Sequence, residues 1–385
     1  MLKTRKCIRM KKINKLILCF IPTNLCNLKC EYCLVSQTNE WNRNDIKFQY
    51  PVEHIVQALS KERLGGECFI NLTAQGETLL YKDIVPLTRG LLEEGHSVEI
   101  ITNATISKRI DEILEFPENL LNNLFFKCSY HYEQLKDKPI EKVYWNNIKK
   151  IKESPCSFTL ELMPYDKISD KLDDICSRCI ENAGAKCHAT VGRDDAKNNK
   201  DLLTQKSKQE YISTWKSLNS TMFQLKMKLF GVKRKEFCYA GAWSLLVDIS
   251  SGEASQCYGR MNTQNIFKNL NKPINFRAVG HSCTQAFCFN GHAHVAWGII
   301  PEYNSPTYYE IRNRQCNDGS NWVKNGCETL FKQKLADNNK QYSNNQKILN
   351  TITNPFFLFF SLFHDLHGVK RKTKKFIKIV TGKFK

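Results

Sequence analysis

Between Leu16 and Val191, six short apolar runs alternate with five helical patterns. The apolar runs are Leu16 to Ile21, Cys68 to Leu72, Ser97 to Thr102, Leu124 to Ser129, Ser157 to Leu162 and Lys186 to Val191. Helical spacing fills Val52 to Leu59, Lys82 to Glu94, Lys108 to Phe116, Lys138 to Lys152 and Ile168 to Asn182, with Gly65-Gly66, Gly95 and Gly184 at three of the ends. Strands alternating with helices predict an α/β fold, a parallel sheet with helices outside it. In parallel barrels the reactive side chains gather at the C-terminal ends of the strands. Cys26-Asn27-Leu28-Lys29-Cys30-Glu31-Tyr32-Cys33, Gln75-Gly76-Glu77, Asn103 and Ser129 all follow a strand and are expected to share one mouth.

The first of these stretches carries the chemistry. Its cysteines are spaced Cys-x3-Cys-x2-Cys, and three thiolates on one loop suit three irons of a 4Fe–4S cluster. Electron-transfer clusters are held by four cysteines. Three leave one iron free for a small molecule, which points to catalysis. Cys26, Cys30 and Cys33, with Tyr32 before the last, resemble the signature of radical S-adenosylmethionine (SAM) enzymes. The resemblance covers roughly the first 230 residues and implies a partial (β/α)6 barrel. It also implies a SAM-binding 4Fe–4S cluster on Cys26, Cys30 and Cys33, and reductive cleavage of SAM to a 5′-deoxyadenosyl radical that takes a hydrogen atom from substrate. Gln75, Gly76 and Glu77 are similar to the family's Gly-Gly-Glu segment, which holds the SAM amino group, although Gln75 stands where the family has glycine. Asn103 and Ser129 fall where the family contacts the methionine and ribose of SAM; each is also a plausible helix cap by residue type. His131 and Arg193 are further candidates at the mouth, for substrate and for a carboxylate respectively.

Beyond the barrel, Cys238 and Cys257 bracket a strand, Ser244 to Ile249, and a hairpin turn, Ser250-Ser251-Gly252. Cys283 and Cys288 follow. This arrangement resembles the SPASM or shorter twitch extension of radical SAM enzymes. It implies an auxiliary 4Fe–4S cluster on Cys238, Cys257, Cys283 and Cys288, with zinc on the same four residues as the alternative. Cys316 and Cys327 are candidate replacements. Cys7, Cys19, Cys68, Cys128, Cys156, Cys176, Cys179 and Cys187 read as small buried residues. The expected division is 1–230 for the barrel, 231–330 for the auxiliary domain, 331–353 for a polar linker and 354–385 for an aromatic, then basic, tail.

Lys+Arg 57 against Asp+Glu 38 gives +19, which favours an anionic partner. The seventeen cysteines sit in metal-like clusters rather than in a short secreted scaffold, so a reducing cytoplasm is expected. Leu16 to Ile21 is shorter than a signal h-region of about 7–15 residues. The basic residues concentrate at the two chain ends, which argues against a nucleic-acid groove. Pro355 to Lys385 holds eight basic residues and one acid, +7 (8 − 1), after a Phe/Leu run, and suits peripheral contact with an anionic inner membrane face. The expected substrate is a small molecule, a sugar, glycan or lipid-linked precursor, oxidised or epimerised at carbon. Flavodoxin or ferredoxin is the expected reductant. The alternatives are a peptide-modifying radical SAM maturase and, from another class, a non-enzymatic zinc protein that binds nucleic acid.

Overall fold

The computed structural model describes residues 11–41, 47–197, 200–258, 261–288 and 291–365. Nine strands form one sheet: β1 (Lys15–Ile21), β2 (Cys68–Ala74), β3 (Ser97–Thr102), β4 (Leu124–Tyr130), β5 (Ser157–Leu162), β6 (His188–Ala189), β7 (Ser244–Asp248), β8 (Glu253–Ser255) and β9 (Asn262–Asn265). Their order is β6-β5-β4-β3-β2-β1-β7-β8-β9. Strands β1 to β6 pair in parallel with their neighbours. β7 adds to the free side of β1, also parallel, and β8 and β9 continue antiparallel. The parallel barrel expected from the alternation is thus open, and the segment after residue 231 prolongs its sheet.

Alternate residues of each strand face opposite sides, and the two sides bury different partners. Ile17, Cys19, Ile21, Ile70, Leu72, Phe126, Cys128 and Tyr130 pack under the helices. Leu16, Leu18, Phe69 and Phe125 face the other way, into a core filled by Phe237, Trp297, Tyr308, Phe331 and others from the second half of the chain. Phe69 and Phe125 meet Phe331 edge-on at centroid distances of 5.3 and 5.0 Å. Burying one such phenylalanine stabilises by about 1.5–3 kcal/mol. The C-terminal segment therefore plugs the lower part of the barrel and leaves the upper part open.

Two expectations change. The sixth strand shrinks to His188–Ala189 because it lies at the sheet edge and pairs only with β5. Between β6 and β7 lie the helices Lys208–Trp215 and Thr221–Leu229, each with a serine N-cap. A single helix, Asn344–His364, crosses the expected border between linker and tail. It starts with a capping box between Ser343 and Gln346 and carries Pro355 inside it. The basic run from Lys370 to Lys385 and the first ten residues, Cys7 included, lie outside the described residues.

Candidate active site

The cysteine loop is an extension of the β1–β2 ladder. Past the last paired residues, Gln75 N–H donates to Ile21 O at 3.3 Å, Gly76 N–H to Thr23 O at 2.7 Å and Glu77 N–H to Leu25 O at 2.8 Å. Gly76 is required by this approach: a Cβ there would stand 2.0 Å from the Leu25 carbonyl oxygen. The Glu77 carboxylate is 3% exposed and already accepts from Leu79 N–H, the Thr102 hydroxyl and Asn103 N–H at 2.9, 2.6 and 2.7 Å. Burial raises its pKa and these three bonds oppose the rise. Its side chain thus ties β2 to β3, while Gln75, Gly76 and Glu77 together line the cavity.

Asn103 has a related role. Its amide donates to Asn27 Oδ1 at 2.8 Å and lies 4.0 Å from Cys26 Sγ, and its oxygen accepts from the Thr105 hydroxyl at 2.7 Å. Lys138 Nζ donates to Asn27 O, and Lys29 N–H to Gln134 Oε1. Composition gives no signal for these clamps, because Asn27, Thr105, Gln134 and Lys138 come from three separate segments. Tyr32 is half-buried, its hydroxyl 2.6 Å from His131 Nδ1, and the same nitrogen is 3.3 Å from Cys30 Sγ. Burial lowers the His131 pKa to about 4, so this imidazole is neutral at pH 7. His131 therefore buttresses the cysteine loop as well as lining the cavity. Arg193 meets Asp195 at 2.6 Å.

Cys26, Cys30 and Cys33 share one wall of a cavity of about 390 Å³, and none forms a disulfide. Burial pushes the Cys26 thiol up to about 11 and Cys30 to about 12, with the neighbouring cysteines adding to the effect. Free thiolates are costly here and a cationic metal group would offset the cost, so the donor set fits an iron–sulfur cluster. The opposite walls carry Ser129, Lys127, Glu161, Thr190, Lys226 and His292. Lys127 and Glu161 went unnoticed in the sequence. The signal available was a charge at an inward position of an otherwise apolar strand, two residues before Ser129 in one case.

The second group of cysteines is also brought together. The Cys238 thiol is raised well above its ordinary value, first by burial and then by Cys257, Cys288 and Cys283. Cys238 is fixed by paired backbone bonds with Gly280 at 3.3 and 2.8 Å. Lys233 Nζ donates to Cys283 O at 2.8 Å. None of the four forms a disulfide, and all are partly exposed. Cys316 and Cys327 sit elsewhere, buried against the carbonyls of Ala183 and Asn122.

Residues 20–174 match the sequence profile of the Radical SAM superfamily. This stretch is a radical SAM domain. The superfamily is one of enzymes, in keeping with the open-iron reading of the cysteine loop. A 7-carboxy-7-deazaguanine synthase of Thermoplasma acidophilum is 28% identical over 96 residues, 23% of this chain and 39% of that enzyme. The chain thus spans about two fifths of that relative. Among solved structures, Streptococcus suis SuiB bound to S-adenosylmethionine is similar with a TM-score of 0.47 and 16% identity, over 67% of this chain and 64% of that one. The radical SAM protein anSMEcpe with bound AdoMet gives 0.44 and 14% identity, over 93% of this chain and 100% of that one.

Proposed function

We propose that the chain cleaves SAM reductively and uses the resulting radical to abstract a hydrogen atom from a small-molecule substrate. The observation that carries this is the convergence of Cys26, Cys30 and Cys33 on one cavity wall at the mouth of a radical SAM domain. When bound there, a 4Fe–4S cluster supplies the electron that breaks SAM into methionine and the 5′-deoxyadenosyl radical. The chain's own residues hold and shield. Cys26, Cys30 and Cys33 are the proposed ligands. Asn103 and Asn27 fix the loop that carries them, and Tyr32 with His131 backs Cys30. Gln75, Gly76, Glu77, Asn103 and Ser129 are the proposed SAM contacts. Cys238, Cys257, Cys283 and Cys288 are the proposed ligands of an auxiliary 4Fe–4S cluster, a reading supported by their mutual electrostatic influence. A flavodoxin or ferredoxin is the proposed electron source.

The cavity's size suits a small molecule, since such sites run to about 300–1,000 Å³. The polar side chains within its lining, Lys127, Ser129, Glu161 and Thr190 among them, suit a sugar or glycan precursor, the substrate class we favour for oxidation or epimerisation at carbon. Incubating the anaerobically reconstituted chain with dithionite and SAM tests the reading: 5′-deoxyadenosine is expected from wild type and not from Cys30→Ala. No 5′-deoxyadenosine from wild type overturns it.

We further propose that the helix Asn344–His364 rests on an anionic membrane surface. Ile348, Leu349, Ile352, Phe356, Phe359, Phe360 and Phe363 recur at helical spacing and are 55–67% exposed. The polar side of the helix faces inward: Asn354 Nδ2 donates to Val279 O at 2.9 Å, Asn350 Nδ2 to Ala278 O at 3.2 Å, and Ser361 is buried. A helix turned apolar side out, followed in sequence by eight basic residues, has the composition of an interfacial anchor. Among the described residues no helix is long and apolar enough to cross a membrane.

A further inference from the structure

The floor of the cavity holds more positive than negative charge. Lys127 rises from β4 with Glu161 of β5 3.5 Å away. That carboxylate is shared, because the buried guanidinium of Arg312 also donates to it. Arg312 in turn lies against His292 Nε2 at 3.3 Å and the Met222 sulfur at 3.0 Å. The next carboxylate down, Glu99, is occupied by the Tyr308 hydroxyl at 2.5 Å and the Asn71 amide. Lys226, on the helix Thr221–Leu229, reaches the same floor, and its ammonium donates to the Thr190 hydroxyl. Among the described residues no carboxylate lies within ion-pair distance of Lys226. Lys127, Lys226 and Arg312 thus converge around Glu161; the other carboxylates among the described residues that line the cavity, Glu77 and Asp195, are held by Thr102 and Asn103 and by Arg193 and Lys200.

We propose that this floor is an anion subsite in which the ammonium groups of Lys226 and Lys127, with the Thr190 hydroxyl, hold a carboxylate or phosphate of the substrate. The inference rests on the radical SAM reading and adds the substrate's chemical class to it. Lys127 stands two residues before Ser129 on β4, about 6–7 Å deeper along the strand. The anion is therefore held below the level proposed for SAM, and the rest of the substrate extends up toward the cysteine loop. Burial pushes both lysines down to about 7; Arg312 adds to the fall at Lys127 while Glu99 opposes it, and Lys127 and Arg193 add to it at Lys226. A bound anion removes that penalty, which makes its capture favourable. Charge-assisted bonds of this kind also fix orientation, as hydrogen abstraction at one carbon requires.

The test uses the full chain, reconstituted anaerobically with iron and sulfide and titrated calorimetrically at constant ionic strength. Inorganic phosphate is the probe in one arm and succinate in the other, each with and without saturating SAM. Saturable binding of at least one anion is expected, and the preferred arm identifies the group. Binding persists with SAM present, falls at least about tenfold, 1.4 kcal/mol, in Lys226→Met and survives in Lys226→Arg. Lys226→Met melts no lower than wild type, since it removes a cation that has no acidic partner. Absence of binding in both arms, displacement of the anion by SAM, unchanged binding in Lys226→Met, loss of binding in Lys226→Arg, or a markedly lower melting point of Lys226→Met each overturns the subsite. Wild type that forms 5′-deoxyadenosine but binds neither anion overturns the subsite alone. Wild type that binds an anion and forms no 5′-deoxyadenosine overturns the radical reading alone.

Discussion

The Gly76 Cα and the Leu25 carbonyl oxygen are so close that a single methyl group cannot be placed between them: an added Cβ would sit 2.0 Å from that oxygen. The contact seats the cysteine loop on the end of β2. Gly76→Ala must push the loop away, at a cost of about 1–3 kcal/mol for overpacking. The expected result is a folded chain with reduced iron and sulfide at the barrel site after reconstitution. Iron and sulfide equal to wild type would show that the loop tolerates the shift.

The bond between the Tyr32 hydroxyl and His131 yields a smaller effect. Tyr32→Phe keeps the ring tilted against Tyr165 at 4.8 Å and removes only the 2.6 Å contact. Thermal unfolding of the unreconstituted chain should report a loss of about 0.5–1.5 kcal/mol. An unchanged melting temperature would mean that His131 finds another partner.

Much of this frame was legible in the sequence, and the exceptions have physical causes. Strand–helix alternation placed Cys26, Gly76, Asn103 and Ser129 at one mouth because backbone period and strand direction follow from local pattern. The roles of Glu77 and Asn103 were less legible. Their hydrogen bonds run to Thr102, Asn27 and Thr105, and such pairings depend on strand order rather than on spacing. Lys127, Glu161, Lys226 and Arg312 meet only after the second half of the chain folds back into the barrel. In sequence the helix Asn344–His364 reads as linker and tail because its apolar residues mark the outer face and its asparagines the inner one, the reverse of the usual pattern.

A depressed lysine pKa has a signed consequence for stability. Lys226 falls from 10.5 in the unfolded chain to about 7 in the fold. Between these values the unfolded state binds more protons, so the lysine's penalty is full below pH 7 and fades as pH rises toward 10.5. Lys226→Met should therefore be more stable than wild type at pH 6.5, with the difference narrowing toward pH 10. Denaturant unfolding of both proteins across this range is the measurement. A difference that widens with pH contradicts the assignment.

The exposed apolar face of the C-terminal helix should confer vesicle binding. Full-length protein should float with vesicles containing anionic lipid and less with neutral ones, and added salt should weaken only the charged part. Replacing Phe356, Phe359, Phe360 and Phe363 with serine should sharply reduce flotation. Each basic residue near an anionic surface adds about 1 kcal/mol, so residual salt-sensitive binding by the tail is expected. Flotation of the serine variant equal to wild type would remove the helix from the contact.

The central claim is that one cysteine group makes the radical and the other does not. The deciding measurement is made on the anaerobically reconstituted full chain in which Cys26, Cys30 and Cys33 are all alanine, with iron, sulfide and 5′-deoxyadenosine determined on the same sample after dithionite and SAM are added. The account predicts about four irons per chain, one 4Fe–4S cluster on the remaining cysteine group, and no 5′-deoxyadenosine. Continued formation of 5′-deoxyadenosine by this variant would contradict it.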